Sequence, residues 1–386
     1  RRQGWLMRRL LAHETPITNT KATVITRIAH QISITVQQTL LVSLLLALLH
    51  ASLTGGARLH PLKQWRDNGT SQHEPPPHDS SPTRAAGAGA SQLRSRLAYV
   101  LLASGLRNSQ LASILHQLRT RVLPWTQGDV LLFHTGEYKT DEQKRMLLEA
   151  MPDMQFVLVP AEAWKLPDGL QEEEATNWIA FSNPKHSLPK GIGYRHMCRW
   201  YSNGMFHFLH NWGYQWVLRL DEDSEVLSDV RVDIVTWMEQ HNKQYGFRLF
   251  DSDNKFVTQS LPELTAWYIS ANNIQPEWLY DYCHPKGISG LTSAGWDRTI
   301  IYNNMFIANI TWWLQPKVQS YLTWVERTNG HYLFRWGDAP VHTMVLGMFL
   351  PRIQLHRFGF AYCHNGPCDA ASDTQHLLPA LRDSLP

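Results

Sequence analysis

Apolar residues fall along most of the chain in two alternating rhythms, short unbroken runs and helix-spaced stripes. Leu97–Ala103 is an apolar run of strand length, and Asn108–Val122 carries Leu111, Ile114, Leu115 and Leu118 at helical spacing. Asp129–His134 predicts a second strand, Asp141–Ala150 a second helix and Gln155–Pro160 a third strand. A helix is predicted from Arg195 to Asn211, with Met197, Tyr201, Met205 and Leu209 on one face and Gly213 ending it. Tyr214–Leu220 then reads as a buried strand. Strands alternating with helices predict an α/β fold with a mixed, mostly parallel sheet flanked by helices. No internal repeat is visible.

The pattern before residue 96 is different. Residues 39–52 form a dense apolar run, which reaches about the 20 residues of a bilayer-spanning helix when extended upstream to Ile32. Gln37 and Gln38 interrupt it. Arg1, Arg2, Arg8, Arg9, Lys21 and Arg27 precede it against Glu14 alone, which orients the downstream chain away from the cytosol. The expectation is a cytosolic basic tail over 1–31 and a signal-anchor helix over 32–52. A cleaved signal peptide and a buried core helix are the alternatives. Residues 53–95 contain Pro75-Pro76-Pro77 and an Ala/Gly stretch at 85–90, cannot bury enough apolar surface to fold, and read as a stem. Sequons at Asn68 and Asn309 suit a secretory route. A globular domain is expected over 96–372, with a short tail at 373–386.

Composition adds bounds. A hydrophobic fraction of 43% with 18% charged residues supplies a sizeable core, and a net charge of +3 is too small to argue for nucleic acid. Sixteen tryptophans suit either core packing or stacking against sugar rings. The four cysteines, Cys198, Cys283, Cys363 and Cys368, have no zinc spacing. In an oxidising compartment they permit two disulfides.

The chemistry concentrates at Asp221-Glu222-Asp223, which follows the buried run ending at Leu220. Ligands of open α/β sheets sit at the carboxyl ends of strands. Alternating Asp221 and Asp223 would present oxygens to a hard cation, Mn²⁺ or Mg²⁺, leaving coordination positions for a diphosphate. A solvated turn is the bland reading of such a triplet. Asp251-Ser-Asp253 serves as a control: it also follows an apolar stretch, and Asn254-Lys255 make it read as a turn.

Three segments change the balance: Tyr194-Arg-His-Met-Cys-Arg-Trp-Tyr-Ser202, the acidic triplet, and Arg335-Trp-Gly-Asp-Ala-Pro-Val-His342. Together with Leu106–Leu111, Tyr245-Gly-Phe247 and Gly359–His364, they resemble the fungal-type α-1,2-mannosyltransferases, the glycolipid 2-α-mannosyltransferases of glycosyltransferase family 15. The resemblance implies a GT-A-like fold, GDP-mannose as donor and a glycan as acceptor. It also implies Mn²⁺, retention at the anomeric carbon, and a single-pass type II Golgi membrane protein with a luminal catalytic domain. Carried over residue by residue, the family's Glu-Pro-Asp metal motif falls on Asp221-Glu222-Asp223, its late metal-binding His on His364, and the Asp of its Trp-Gly-Asp string on Asp338, in contact with acceptor or metal-bound water. Asp221 and Asp338 are thus the candidate catalytic carboxylates. Tyr194, Arg195 and Arg199 are expected to face the diphosphate, while His342 supports its helix. One departure stands out. The family's Asn-Phe-Glu segment, whose Glu is the candidate nucleophile, falls on Asn304-Met-Phe306, so Phe306 replaces the carboxylate. Readings left open are a divergent transferase with another donor sugar, a non-catalytic carbohydrate-binding protein on the same fold, and a glycoside hydrolase.

Overall fold

Parallel strands linked through helices build one half of the main sheet in the computed structural model, which describes residues 95–103, 105–172, 175 and 191–364. β1 (Leu97–Leu102) is followed by α1 (Asn108–Arg121), β2 (Asp129–His134), α2 (Asp141–Ala150) and β3 (Gln155–Leu158). A helical segment then runs as α3 (Ile192–Arg199), a π turn at Trp200–Gly204, and α4 (Met205–Asn211), and leads into β4 (Trp216–Leu220). β5 (Ser224–Val226), α5 (Ile234–Gln240), β6 (Tyr245–Ser252) and α6 (Leu261–Ala271) follow. The long β7 (Thr299–Asn309) passes into α7 (Ile310–Trp313), α8 (Pro316–Arg327), α9 (Gly330–Leu333) and α10 (Asp338–Phe349). Two short strands close the described chain, β8 (Leu355–Arg357) and β9 (Tyr362–His364).

The strand order is β3-β2-β1-β4-β7-β6-β8. β7 runs antiparallel to both of its neighbours, and all the other pairings of this sheet are parallel. The carboxyl ends of β4 and β6 therefore lie on the same edge, and β7 begins there, where Thr299 pairs with Ser252. β5 and β9 form a separate antiparallel pair just beyond β4.

Burial on both faces explains why the strands read as unbroken apolar runs. Ala98, Val100 and Leu102 of β1 face a core with Trp200, Phe206, Leu209 and Trp313. Leu97, Tyr99 and Leu101 face the opposite core, with Leu111, Leu115 and Leu118 of α1 and Ile234 and Met238 of α5. α2 starts where a Thr140–Gln143 capping box satisfies its first amides. Trp216, Trp296, Trp313 and Trp336 are all fully buried, so the aromatic excess is spent largely on the core.

Several boundaries differ from the pattern-based expectation. The predicted helix over 195–211 starts earlier and is interrupted by the π turn. Its successor strand begins at Trp216, because Tyr214 still belongs to the turn behind Gly213, whose φ is 90°. Asp251 and Ser252 are not a turn: they continue β6 in register with Ile300 and Thr299. Two disulfides do not form, since Cys198 and Cys283 are buried free thiols; Cys363 is disulfide-bonded. Asn309 uses its side-chain oxygen to accept from the Trp312 amide at 3.2 Å, capping α7. The expected tail, anchor and stem over residues 1–94, and the tail at 373–386, lie outside the described residues. Among the described residues no helix is long and apolar enough to cross a membrane.

At Gly246, β6 approaches the second core closely enough that a side chain would not fit. A Cβ built there would sit 2.6 Å from Phe358 Cε2 and 2.9 Å from Ile307 Cγ2. Gly246→Ala is expected to lower the unfolding free energy by about 1–3 kcal/mol through overpacking, measured by urea denaturation.

Candidate active site

The strand β4 delivers its last residues to the shared carboxyl edge. There Arg219 is nearly fully buried, at 3% side-chain exposure, and lies 3.5 Å above the Tyr201 ring. Its Nε donates to Asp221 Oδ1 at 2.8 Å, and its Nη1 donates to Asp338 Oδ2. Asn303 Nδ2 donates to the same Asp338 oxygen at 2.8 Å. One guanidinium thus joins the end of β4 to the first residue of α10. Burial opposes the charge on Arg219, but Asp221 and Asp338 outweigh it and hold its pKa well above the usual value. Burial also works against ionisation of Asp338, yet Arg219 and His342 prevail and keep its carboxyl below the ordinary range. For Asp221 the balance goes the other way: burial lifts it to about 6 against the pull of Arg219.

The β5–β9 pair explains how a late residue reaches the triplet. Its register sets Ser224 opposite His364. His364 Nδ1 then lies 3.1 Å from Asp223 Oδ1, and Tyr362 and Ser224 share a hydroxyl hydrogen bond of 2.7 Å behind it. Tyr302 meets the His364 ring edge-on at 5.2 Å. Asp221, Asp223 and His364 each offer one ligand atom, and these atoms lie within 4.8 Å of one another. Two carboxylates and an imidazole converging at that distance suit a divalent ion such as Mn²⁺. Beside them Asn304, whose backbone carbonyl accepts from the Asp221 amide at 2.9 Å, has a buried side-chain amide without a partner.

The other expected site residues divide. Tyr194 lies under Arg335, whose guanidinium is 5.0 Å from the ring centroid; Cys198, burial and Asp338 all push its phenol up. Arg195 is buried and donates to the Tyr332 carbonyl at 2.7 Å. Arg199 is ion-paired with Glu326 at 2.6 Å and also donates to the Lys165 carbonyl at 3.3 Å. The two arginines therefore brace α3 against the α8–α9 region. His342 is spent on structure: Nδ1 meets the Tyr245 hydroxyl and Nε2 the Tyr201 carbonyl, both at 3.1 Å, and burial lowers its pKa to about 4.

Residues that the sequence reading missed include Arg219, Asn303 and Asp253. Arg219 sits inside an apolar strand, where a cation is informative only once a pair of buried carboxylates is known. Asp253 was read as a turn residue. It sits beside Gly337, with its Oδ2 3.8 Å from a Cβ built there, and burial lifts its carboxyl to about 6. Arg335, with φ of 58°, is a non-glycine residue held in the left-handed region next to this cluster.

The family profile described as "Glycolipid 2-alpha-mannosyltransferase" matches residues 100–377. The chain belongs to that family. The glycolipid 2-alpha-mannosyltransferase of Saccharomyces cerevisiae is 28% identical to this family member over 249 residues, 64% of this chain and 54% of that protein. The O-glycoside alpha-1,2-mannosyltransferase omh1 of Schizosaccharomyces pombe is 26% identical over 283 residues, 71% of this chain and 70% of that protein. The match thus spans little more than half of the Saccharomyces relative. Core-mannan synthase A of Aspergillus fumigatus, solved in an Mn/GDP form, superposes with a TM-score of 0.66 at 21% identity, covering 80% of this chain and 88% of that one. That likeness establishes a shared fold.

Removing Arg219 would leave Asp338 buried with no cation. Arg219→Ala is expected to cost about 3–5 kcal/mol of stability. Loss of the more exposed Asp223 carboxylate in Asp223→Ala is expected to cost about 1 kcal/mol or less. Urea denaturation of both variants checks the ratio.

Proposed function

We propose that this family member is a metal-dependent α-1,2-mannosyltransferase that moves mannose from GDP-mannose to a mannose-containing glycan in protein glycosylation. The observation that carries the reading is the convergence of Asp221, Asp223 and His364, with Asp338 tied to Asp221 through a single arginine. Asp221, Asp223 and His364 would hold Mn²⁺ against the diphosphate. When bound, the ion supplies Lewis-acid stabilisation of the departing nucleoside diphosphate. The GT-A-like description fits a mostly parallel sheet with an acidic motif at the end of an inner strand. The anchor at 32–52 and its basic flank support a type II Golgi membrane protein whose catalytic domain is luminal.

The chain's own residues set the limits of the reaction. Arg219 fixes the separation of Asp221 and Asp338 and prevents both carboxylates from relaxing into solvent. Asp338 stays ionised at neutral pH and can accept a hydrogen bond from a sugar hydroxyl at the transfer point. Tyr194, beneath Arg335, offers a phenol that remains protonated. Phe306 is fully buried, stacked 5.2 Å from Tyr245 and 6.1 Å from Phe206, so no carboxylate is available at the position of the family's candidate nucleophile. Retention then proceeds by a same-face displacement: the acceptor hydroxyl attacks the anomeric carbon as the C–O bond to the diphosphate breaks, and the leaving phosphate takes the hydroxyl proton. A two-carboxylate double displacement lacks its nucleophile here.

Calorimetry of the full chain in Mn²⁺ is expected to show GDP binding that disappears in Asp223→Ala, and a donor screen to select GDP-mannose over UDP- and other GDP-sugars. Absence of Mn²⁺-dependent GDP binding by the wild-type protein would overturn the proposal. Phe306→Glu is expected to yield no gain in transfer and a loss of stability of several kcal/mol, since it buries a charge within an aromatic stack; a rise in turnover would instead restore the covalent route.

A further inference from the structure

Where the family has Pro between the two acidic residues of its metal motif, this chain has Glu222, and the structure gives that carboxylate a specific contact. Glu222 Oε1 lies 3.2 Å from Arg107 Nη1, with the Glu222 side chain 13% exposed and the Arg107 side chain 55% exposed. Arg107 is the residue immediately before α1, in the loop that follows β1. β1 and β4 are adjacent parallel strands, so the loop after β1 and the acidic triplet after β4 are neighbours on one edge, with strand axes about 5 Å apart. Anions bind at that edge of such sheets. The ion pair engages Nη1, one corner of a guanidinium that carries five N–H donors. Asn108, the next residue, is itself fixed: its Oδ1 accepts from the Tyr138 hydroxyl at 3.0 Å and its Nδ2 donates to the Gln143 carbonyl at 2.9 Å.

We propose that Arg107 binds the diphosphate of the nucleotide donor, and that Glu222 is the positioning residue that holds its guanidinium over the metal-binding residues. The inference rests on the donor reading above and refines it. A mostly buried carboxylate fixes a long side chain that would otherwise lose rotamer freedom on binding, so Glu222 lowers the ordering cost of the phosphate contact. A Pro at 222 has no side chain able to do this.

The test is a double-mutant cycle by calorimetry in Mn²⁺ on the full chain, with wild type, Arg107→Ala, Glu222→Gln and the double variant, titrated with GDP and with GMP. Arg107→Ala is expected to weaken GDP about tenfold or more, and GMP less, because GMP lacks the second phosphate. Glu222→Gln is expected to weaken GDP severalfold when Arg107 is present and to have no effect in the Arg107→Ala background, with the Mn²⁺ concentration for half-saturation unchanged. Equal effects of Glu222→Gln in both backgrounds, unchanged GDP affinity in Glu222→Gln, or tighter binding in it would each overturn the positioning role. Failure of wild type to bind GDP at all would instead remove the donor reading on which it depends.

Discussion

The site depends on one buried cation. Arg219 enters from the apolar strand β4, stacks on Tyr201, and is neutralised by Asp221 just past the end of that strand and by Asp338 on α10. A buried guanidinium is costly unless its donors are satisfied, and two carboxylates together are costly unless a cation separates them. Each cost is offset by the other. The arrangement therefore specifies a distance between the penultimate residue of a strand and the first of a helix 119 positions away in the chain, something that hydrophobic packing alone would leave loose. Asn303 adds a neutral donor to Asp338, so the helix start is held from two strands at once.

The fold was legible where local periodicity and burial agree. Strands such as Asp129–His134 and helices such as Asp141–Ala150 occur at the residues their patterns mark, because apolar runs buried on both faces and a Thr140 cap are local signals. The site was legible only through motif resemblance. Asp221, Asp223, His364 and Asp338 do converge, yet nothing in spacing predicts it, since His364 arrives on a strand that pairs across the fold with β5. The protein partners of Arg195 and Arg199 were hidden for a related reason. On a helical wheel a cation looks the same whether it faces a ligand, a Glu326 carboxylate or a backbone carbonyl, and only the packing partner decides. Asp253 failed in the opposite direction, because polar residues after an apolar run suggest a turn although β6 is held in register by β7 through Ser252.

Phe306 lies at the centre of an aromatic cluster. Its ring joins Tyr245, Phe206 and His342, and Phe206 in turn stacks on Trp313 at 4.6 Å. A carboxylate in that stack would need its own cation, and in β7–β4 register the residue opposite is Arg219, already committed to Asp221 and Asp338. The aromatic residue and the doubly paired arginine are thus mutually consistent: losing the arginine, or placing a carboxylate at 306, strands a charge.

The reversed direction of β7 has a further consequence. A parallel strand enters a sheet from the edge remote from its ligands, so whatever precedes it in the chain is kept away from chemistry. β7 enters from the ligand edge, and the passage from Asn272 to Arg298 that leads into it is anchored in the core, with Trp278, Leu279, Tyr282, Leu291 and Trp296 buried and Trp278 Nε1 donating to the Leu350 carbonyl at 2.8 Å. An insertion that kept those anchors would leave every strand pairing of the main sheet in place. The reversed strand thus brings a core-anchored segment to the edge where Asp221, Asp223 and His364 converge.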